Sequence, residues 1–195
     1  MSLLFDFLPL IPIVVGAAML TLSILSLWNK SFIFWPPPNE GAWQHRVFRL
    51  LFRIMFYGLV VLTIALFWRD GIIVPVWMFY CGVVLMTLGF GVALLATGFL
   101  GWRQAFGVKE GLRTDGLFSV SRHPVYVATW FAMAGWSLIL PNTAVLIVLA
   151  QWALIYLIAI FLEERWLHKE FGIEYQDYTK SVPRFLGWNR NGVRP

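Results

Sequence analysis

The sequence predicts an all-α integral membrane protein of about five transmembrane helices with a cytosolic C-terminal helix. Three observations carry this. The 195 residues are 59% hydrophobic and only 13% charged, whereas soluble domains are nearer half apolar and a quarter charged. The apolar residues fall into five runs, each near the ~20 residues that a helical span needs. The basic residues gather beside alternate runs, as orientation in a bilayer demands. A chain this short is expected to form one domain, without room for a separate soluble module.

Other classes are excluded by what is scarce. The single cysteine, Cys81, lies in an apolar run and reads as a packing residue. His45, His123 and His168 lie far apart in sequence, so no metal site is expected. The net charge of +5 lacks the aromatic–basic alternation of a nucleic-acid surface and suits anionic lipid headgroups instead.

The first run, residues 7–27, has Pro9 and Pro12 in its opening turns, where a missing N–H costs least. It lacks a basic start and a small-residue cleavage site, so a cleaved signal peptide is not expected. Residues 31–44 follow, centred on Trp35-Pro36-Pro37-Pro38, which favours an extended path. This stretch reads as a stiff interfacial connector with Trp35 and Trp43 at headgroup level. The second run, 47–68, carries Arg46, Arg49 and Arg53 at its start, where long side chains can snorkel to the surface. Residues 1–70 therefore form a two-span N-terminal part, and 71–195 the remainder.

The third run, 72–100, contains Gly82, Gly89, Gly91 and Gly98. Small residues admit either a neighbouring helix backbone or a ligand, and the pattern leaves both open. A polar stretch, 101–123, includes Arg103, Lys109, Glu110, Arg113, Asp115 and Arg122, while Phe106, Leu112, Leu117 and Phe118 argue that it folds back. The fourth and fifth runs, 124–140 and 143–162, are joined only by Pro141-Asn142 and so form an antiparallel hairpin. From Glu163 the pattern turns amphipathic, with Trp166, Leu167, Phe171, Tyr175 and Tyr178 at helical spacings. This predicts a cytosolic helix against the membrane face.

With the N-terminus outside, fourteen of the fifteen Lys and Arg residues fall on the inner side and only Arg69 outside. Without a targeting peptide, a bacterial-type inner membrane or the endoplasmic reticulum is expected.

Two polar clusters stand out: Arg122-His123 before the hairpin and Glu163-Glu164 after it. At ~1.5 Å per residue both reach the same boundary, within side-chain range. Pro124 suits a helix start, so free N–H groups beside Arg122 suit a carboxylate. The paired glutamates suit an ammonium group or hydroxyls. Binding of lipid phosphate by Arg122, with Glu163 paired to Arg165 or Lys109, accounts for the same residues.

The motif R-H-P-V-Y at 122–126, preceded by Gly116-Leu117-Phe118, resembles the isoprenylcysteine carboxyl methyltransferase group of membrane methyltransferases. The later E-E-R-W-L-H-K-E-F-G-I-E-Y-Q-D-Y-T-K-S-V-P-R-F is similar to the same group. The phospholipid N-methyltransferases look related, through Gly89-Phe90-Gly91 and Glu163-Glu164. The resemblance covers residues 80–186 and implies S-adenosyl-L-methionine as cofactor, with membrane lipids and a lipophilic small-molecule acceptor as partners. It implies that Arg122, His123 and Tyr126 line the methionine or adenosine part. Glu163 and Glu164 are implied to hold amino or ribose groups, and Arg184 to close a lid or meet the substrate. Gly89, Gly91, Gly116, Leu117 and Pro124 complete the implied cofactor contacts. Arg122, His123 and Arg184 are the implied catalytic residues.

Methyl transfer to a carboxylate needs orientation only; an amine or thiol needs a base, with His123 or a glutamate as candidates. The alternatives are an NADPH-dependent reductase of an isoprenoid or sterol-like double bond, which shares an R-H-P-x-Y hairpin, and a non-enzymatic lipid-binding membrane protein.

Overall fold

The computed structural model describes residues 7–39, 41–105 and 111–187. Phe106, Lys109 and Glu110 lie outside the described residues, as do Arg190 and Arg194. The elements run α1 (Leu10–Trp28), α2 (Trp43–Asp70), α3 (Val76–Leu100), α4 (Trp102–Ala105), a 3-10 turn (Gly116–Ser119), α5 (Pro124–Ile139), α6 (Thr143–Phe171) and α7 (Ile173–Ser181). Among the described residues there is no strand. The protein is an all-α, multi-pass membrane protein: α1, α2, α3 and α6 are long and apolar enough to cross a bilayer.

The fifth apolar helix, α5, has 16 residues, or ~24 Å, against a hydrocarbon core of ~30 Å. At the start of α5 the connector and the loop around residues 111–123 gather.

Apolar surface gains little from leaving lipid for protein, so close backbone approach has to hold these helices together. α3 and α5 show this directly. A Cβ added at Gly82 would lie 2.7 Å from Gly135 O, and one at Gly89 2.5 Å from Ala132 N and 2.7 Å from Ala128 O. Only hydrogen fits at these crossings. α6 packs on α1, where the Gln151 amide donates to Ile13 O at 3.2 Å. Trp136 of α5 donates its indole N–H to Thr63 of α2 at 3.0 Å.

The structure corrects two expectations. The connector is more than a stiff spacer: Phe34, Trp35, Pro36 and Pro37 are buried against the bundle, and Phe34 donates its backbone N–H to Ser26 Oγ at 3.0 Å. Nor does a separate amphipathic helix begin at Glu163. α6 continues unbroken to Phe171 and ends at Gly172, whose φ of +51° turns the chain into α7. A change in polarity does not end a helix when the residues beyond it are good helix formers, as Glu163–Phe171 mostly are. A left-handed residue does. The aromatic face of α7 then turns inward, with Tyr175, Tyr178 and Val182 buried against Leu112, Leu167 and Phe171.

Candidate active site

The short turn of the hairpin makes the start of α5 and the end of the apolar part of α6 neighbours, and the two polar clusters meet there. Pro124 occupies the first turn of α5, with His123 at the N-cap. His123 then sits between the glutamates: Nδ1 lies 3.7 Å from Glu163 Oε2 and Nε2 3.4 Å from Glu164 Oε1.

The two glutamates occupy different surroundings. Glu163 faces a cavity of about 250 Å³. Its Oε1 accepts the Trp35 indole N–H at 2.7 Å and also the Tyr126 hydroxyl. Glu164 points away from that cavity. It accepts the Arg184 guanidinium, Nη2 to Oε2 at 2.6 Å and Nε to Oε1 at 3.0 Å, and lies 3.2 Å from Arg122 Nη2. The carboxylate beside Arg184 holds that guanidinium above its ordinary pKa. One carboxylate is thus left to a cavity while its neighbour is saturated by cations.

The chain after α7 is fastened at the same place. Arg122 donates its backbone N–H to Pro183 O at 3.0 Å, and Arg184 lies over the Phe161 ring at 5.0 Å. Tyr178 donates its hydroxyl to Phe118 O at 2.6 Å, holding the 3-10 turn. Burial pushes the Tyr175 and Tyr178 phenols up, so both stay neutral. Gly116 opens that turn with φ +58°, a conformation open to glycine at little cost.

The cavity walls are mostly aromatic. Trp35 stacks on Phe48 at 4.2 Å, Tyr126 meets Tyr156 edge-on at 4.6 Å, and Phe52 stacks with Tyr156 at 6.5 Å. Arg122, His123, Pro124, Tyr126 and Glu163 all line it.

Gly89 and Gly91 do not line this cavity. Gly89 belongs to the α3–α5 crossing, and Gly91 faces open space. Gly89, Leu117 and Pro124 border a second, apolar cavity of about 240 Å³ between α3 and α5. Gly116 borders neither of these, and Arg184 is tied up at the surface with Glu164. Trp35, Phe48, Phe52 and Tyr156 are among the lining residues that sequence reasoning missed. The signal at Trp35 was an aromatic beside prolines, which reads equally as interfacial anchoring.

The fold and site together describe a multi-pass helical membrane protein with a buried polar cluster beside an aromatic cavity at one end of its bundle. The family follows from sequence comparison. A phospholipid methyltransferase profile matches residues 73–174, from the approach to α3 into α7, and the chain belongs to that family of membrane methyltransferases. It is 31% identical over 193 aligned residues to methanethiol S-methyltransferase from Pseudomonas deceptionensis, covering 91% of this chain and 62% of that protein. It is 30% identical over 192 residues to methanethiol S-methyltransferase 2 from Bradyrhizobium diazoefficiens, covering 87% and 73%. A 108-residue stretch is 36% identical to a cobalt-zinc-cadmium resistance protein from Cupriavidus metallidurans, covering 53% and 49%. The chain spans less than two thirds of the length of the Pseudomonas relative. No solved structure matches.

Proposed function

We propose that the protein transfers a methyl group from S-adenosyl-L-methionine to a small lipophilic thiol at the cytosolic face of its membrane. The observation that carries the reading is the cavity-facing Glu163 beside Arg122 and His123, within an aromatic wall. The residues present fit the cofactor: a carboxylate for its ammonium or ribose groups, Arg122 for its carboxylate, and electron-rich rings for a cation. Arg122, His123, Tyr126 and Glu163 would hold it. Glu164 and Arg184 act one step back, fixing Arg122 and His123. S-adenosylmethionine supplies, when bound, a methyl group already activated on a sulfonium.

What remains for the chain is orientation, exclusion of water and disposal of one proton. The aromatic rings exclude water. With a thiol as acceptor, its S–H bond and the methyl's bond to the donor sulfonium would break as the new S–CH3 bond forms, the donor sulfur would leave as a neutral thioether, and the Glu163 carboxylate would take the proton. The thiol reading is favoured over an amine or carboxylate by the two relatives named for thiol methylation, each aligned over most of this chain. The cytosolic placement is supported by the fourteen basic residues that share one side of the five-span topology.

The test is calorimetric binding of S-adenosylhomocysteine to detergent-purified protein, beside the Glu163→Ala, Glu164→Ala double variant, followed by transfer of labelled methyl to ethanethiol. Micromolar binding lost in the variant, with a labelled thioether product, is the expected result. Folded wild-type protein that binds NADPH instead would point to a reductase. Silence toward both would leave a lipid-binding role.

A further inference from the structure

Trp35 stands out because it comes from neither the matched segment, residues 73–174, nor a membrane span, yet it touches the cavity's carboxylate. Its placement is over-determined. Phe34 is pinned to Ser26 at 3.0 Å and packs edge-on against Phe48 at 5.9 Å. The Trp35 ring then stacks on Phe48 at 4.2 Å, and Phe48 on Phe52 at 6.0 Å. Pro36 and Pro37 are buried beside it, and a proline backbone has little freedom to swing the indole aside.

The consequences are two. The indole N–H and the Tyr126 hydroxyl both donate to Glu163 Oε1, so the carboxylate is aimed by neutral donors, with its Oε2 held 3.7 Å from His123 Nδ1. The ring itself, 5% exposed, fills the α2 side of the cavity. Close-packed rings do not yield to a longer ligand without displacing one another.

We propose that Trp35 is a positioning and specificity-determining residue of the methyl-transfer site. Its N–H orients Glu163, and its ring, backed by Phe48, walls the α2 side of the cavity and so limits how long an acceptor substituent can be. The proposal rests on the thiol reading above and narrows it: the acceptor is a compact alkyl thiol rather than one carrying a long chain. An apolar pocket that excludes a methylene typically discriminates by about tenfold or more, so a closed wall predicts a steep fall with chain length.

The experiment uses the full chain in lipid nanodiscs with labelled S-adenosylmethionine, and compares ethanethiol, butanethiol and hexanethiol. In the wild type, kcat/KM should fall about tenfold or more from ethanethiol to hexanethiol. Trp35→Ala should flatten that ratio by at least about tenfold. Trp35→Phe should keep the ratio but lower kcat several-fold, with KM for the cofactor little changed, since only the hydrogen bond to Glu163 is lost. A purely structural role would lower activity toward all three thiols alike. If Trp35→Ala does not fold, Trp35→Leu reads the same ratio. A flat preference in the wild type, or a ratio unmoved by the variants, overturns the proposal while the methyl-transfer reading stands. A folded wild type that binds no S-adenosylhomocysteine and methylates no thiol overturns that reading as well.

Discussion

Replacing Glu164 by glutamine should destabilise the protein far more than the same change at Glu163 next to it. The Glu164 side chain is 9% exposed and meets Arg122, 11% exposed, and Arg184, 38% exposed, with His123 Nε2 at 3.4 Å. Glutamine keeps the shape and one acceptor oxygen but removes the charge. Arg184 can turn to water, so its loss is that of a surface pair, about 1 kcal/mol or less. Arg122 has no such escape, and stranding a buried charge costs roughly 3–5 kcal/mol. With the retained oxygen discounted, the change should cost about 3 kcal/mol. For a chain of this size that corresponds to a loss of roughly 6–12 °C in Tm. Glu163 receives neutral donors, Trp35 and Tyr126, and its nearest cationic candidate is His123 at 3.7 Å. Its glutamine variant should lose no more than about 1–2 kcal/mol. Thermal unfolding of both variants in the same detergent, followed by near-ultraviolet circular dichroism, reads the difference. A Glu164→Gln protein within about 2 °C of wild type, or a larger loss at position 163, would refute the assignment of the structural charge to Glu164.

Glu163→Gln, though mild in stability, should lower methyl transfer by about 10²–10⁴-fold, the usual contribution of a general base, read as initial rate with ethanethiol. Gly89→Val would drive a Cβ to 2.5 Å from Ala132 N and should cost about 1–3 kcal/mol in thermal unfolding. Gly91→Ala meets open space and should be neutral or slightly stabilising. Tyr178→Phe removes the 2.6 Å hydrogen bond to Phe118 O, at about 1 kcal/mol. It should free the loop and speed tryptic cleavage after Arg113, measured by limited proteolysis against the wild type.

The sequence by itself determined the membrane class, because apolar runs of span length and skewed basic residues have no other economical explanation. It also put residues 122–123 and 163–164 near one boundary, since a two-residue turn fixes the hairpin arms side by side, but left open whether they pair with each other. The motif around them carried the family. The rest needed three dimensions. That Gly89 lies against a helix backbone was not readable from composition, and the closeness of the Ala128 and Ala132 backbone shows it. Which glutamate faced the cavity was equally hidden, because adjacent residues on a helix point about 100° apart and nothing local says which direction is inward. The polar turn at Glu163 looked like a helix end, yet only Gly172, with its positive φ, broke the chain. Trp35 lies 128 positions from Glu163; no periodicity or spacing links them. Local patterns report what a segment can bury. Which distant segment closes a site is decided by packing alone.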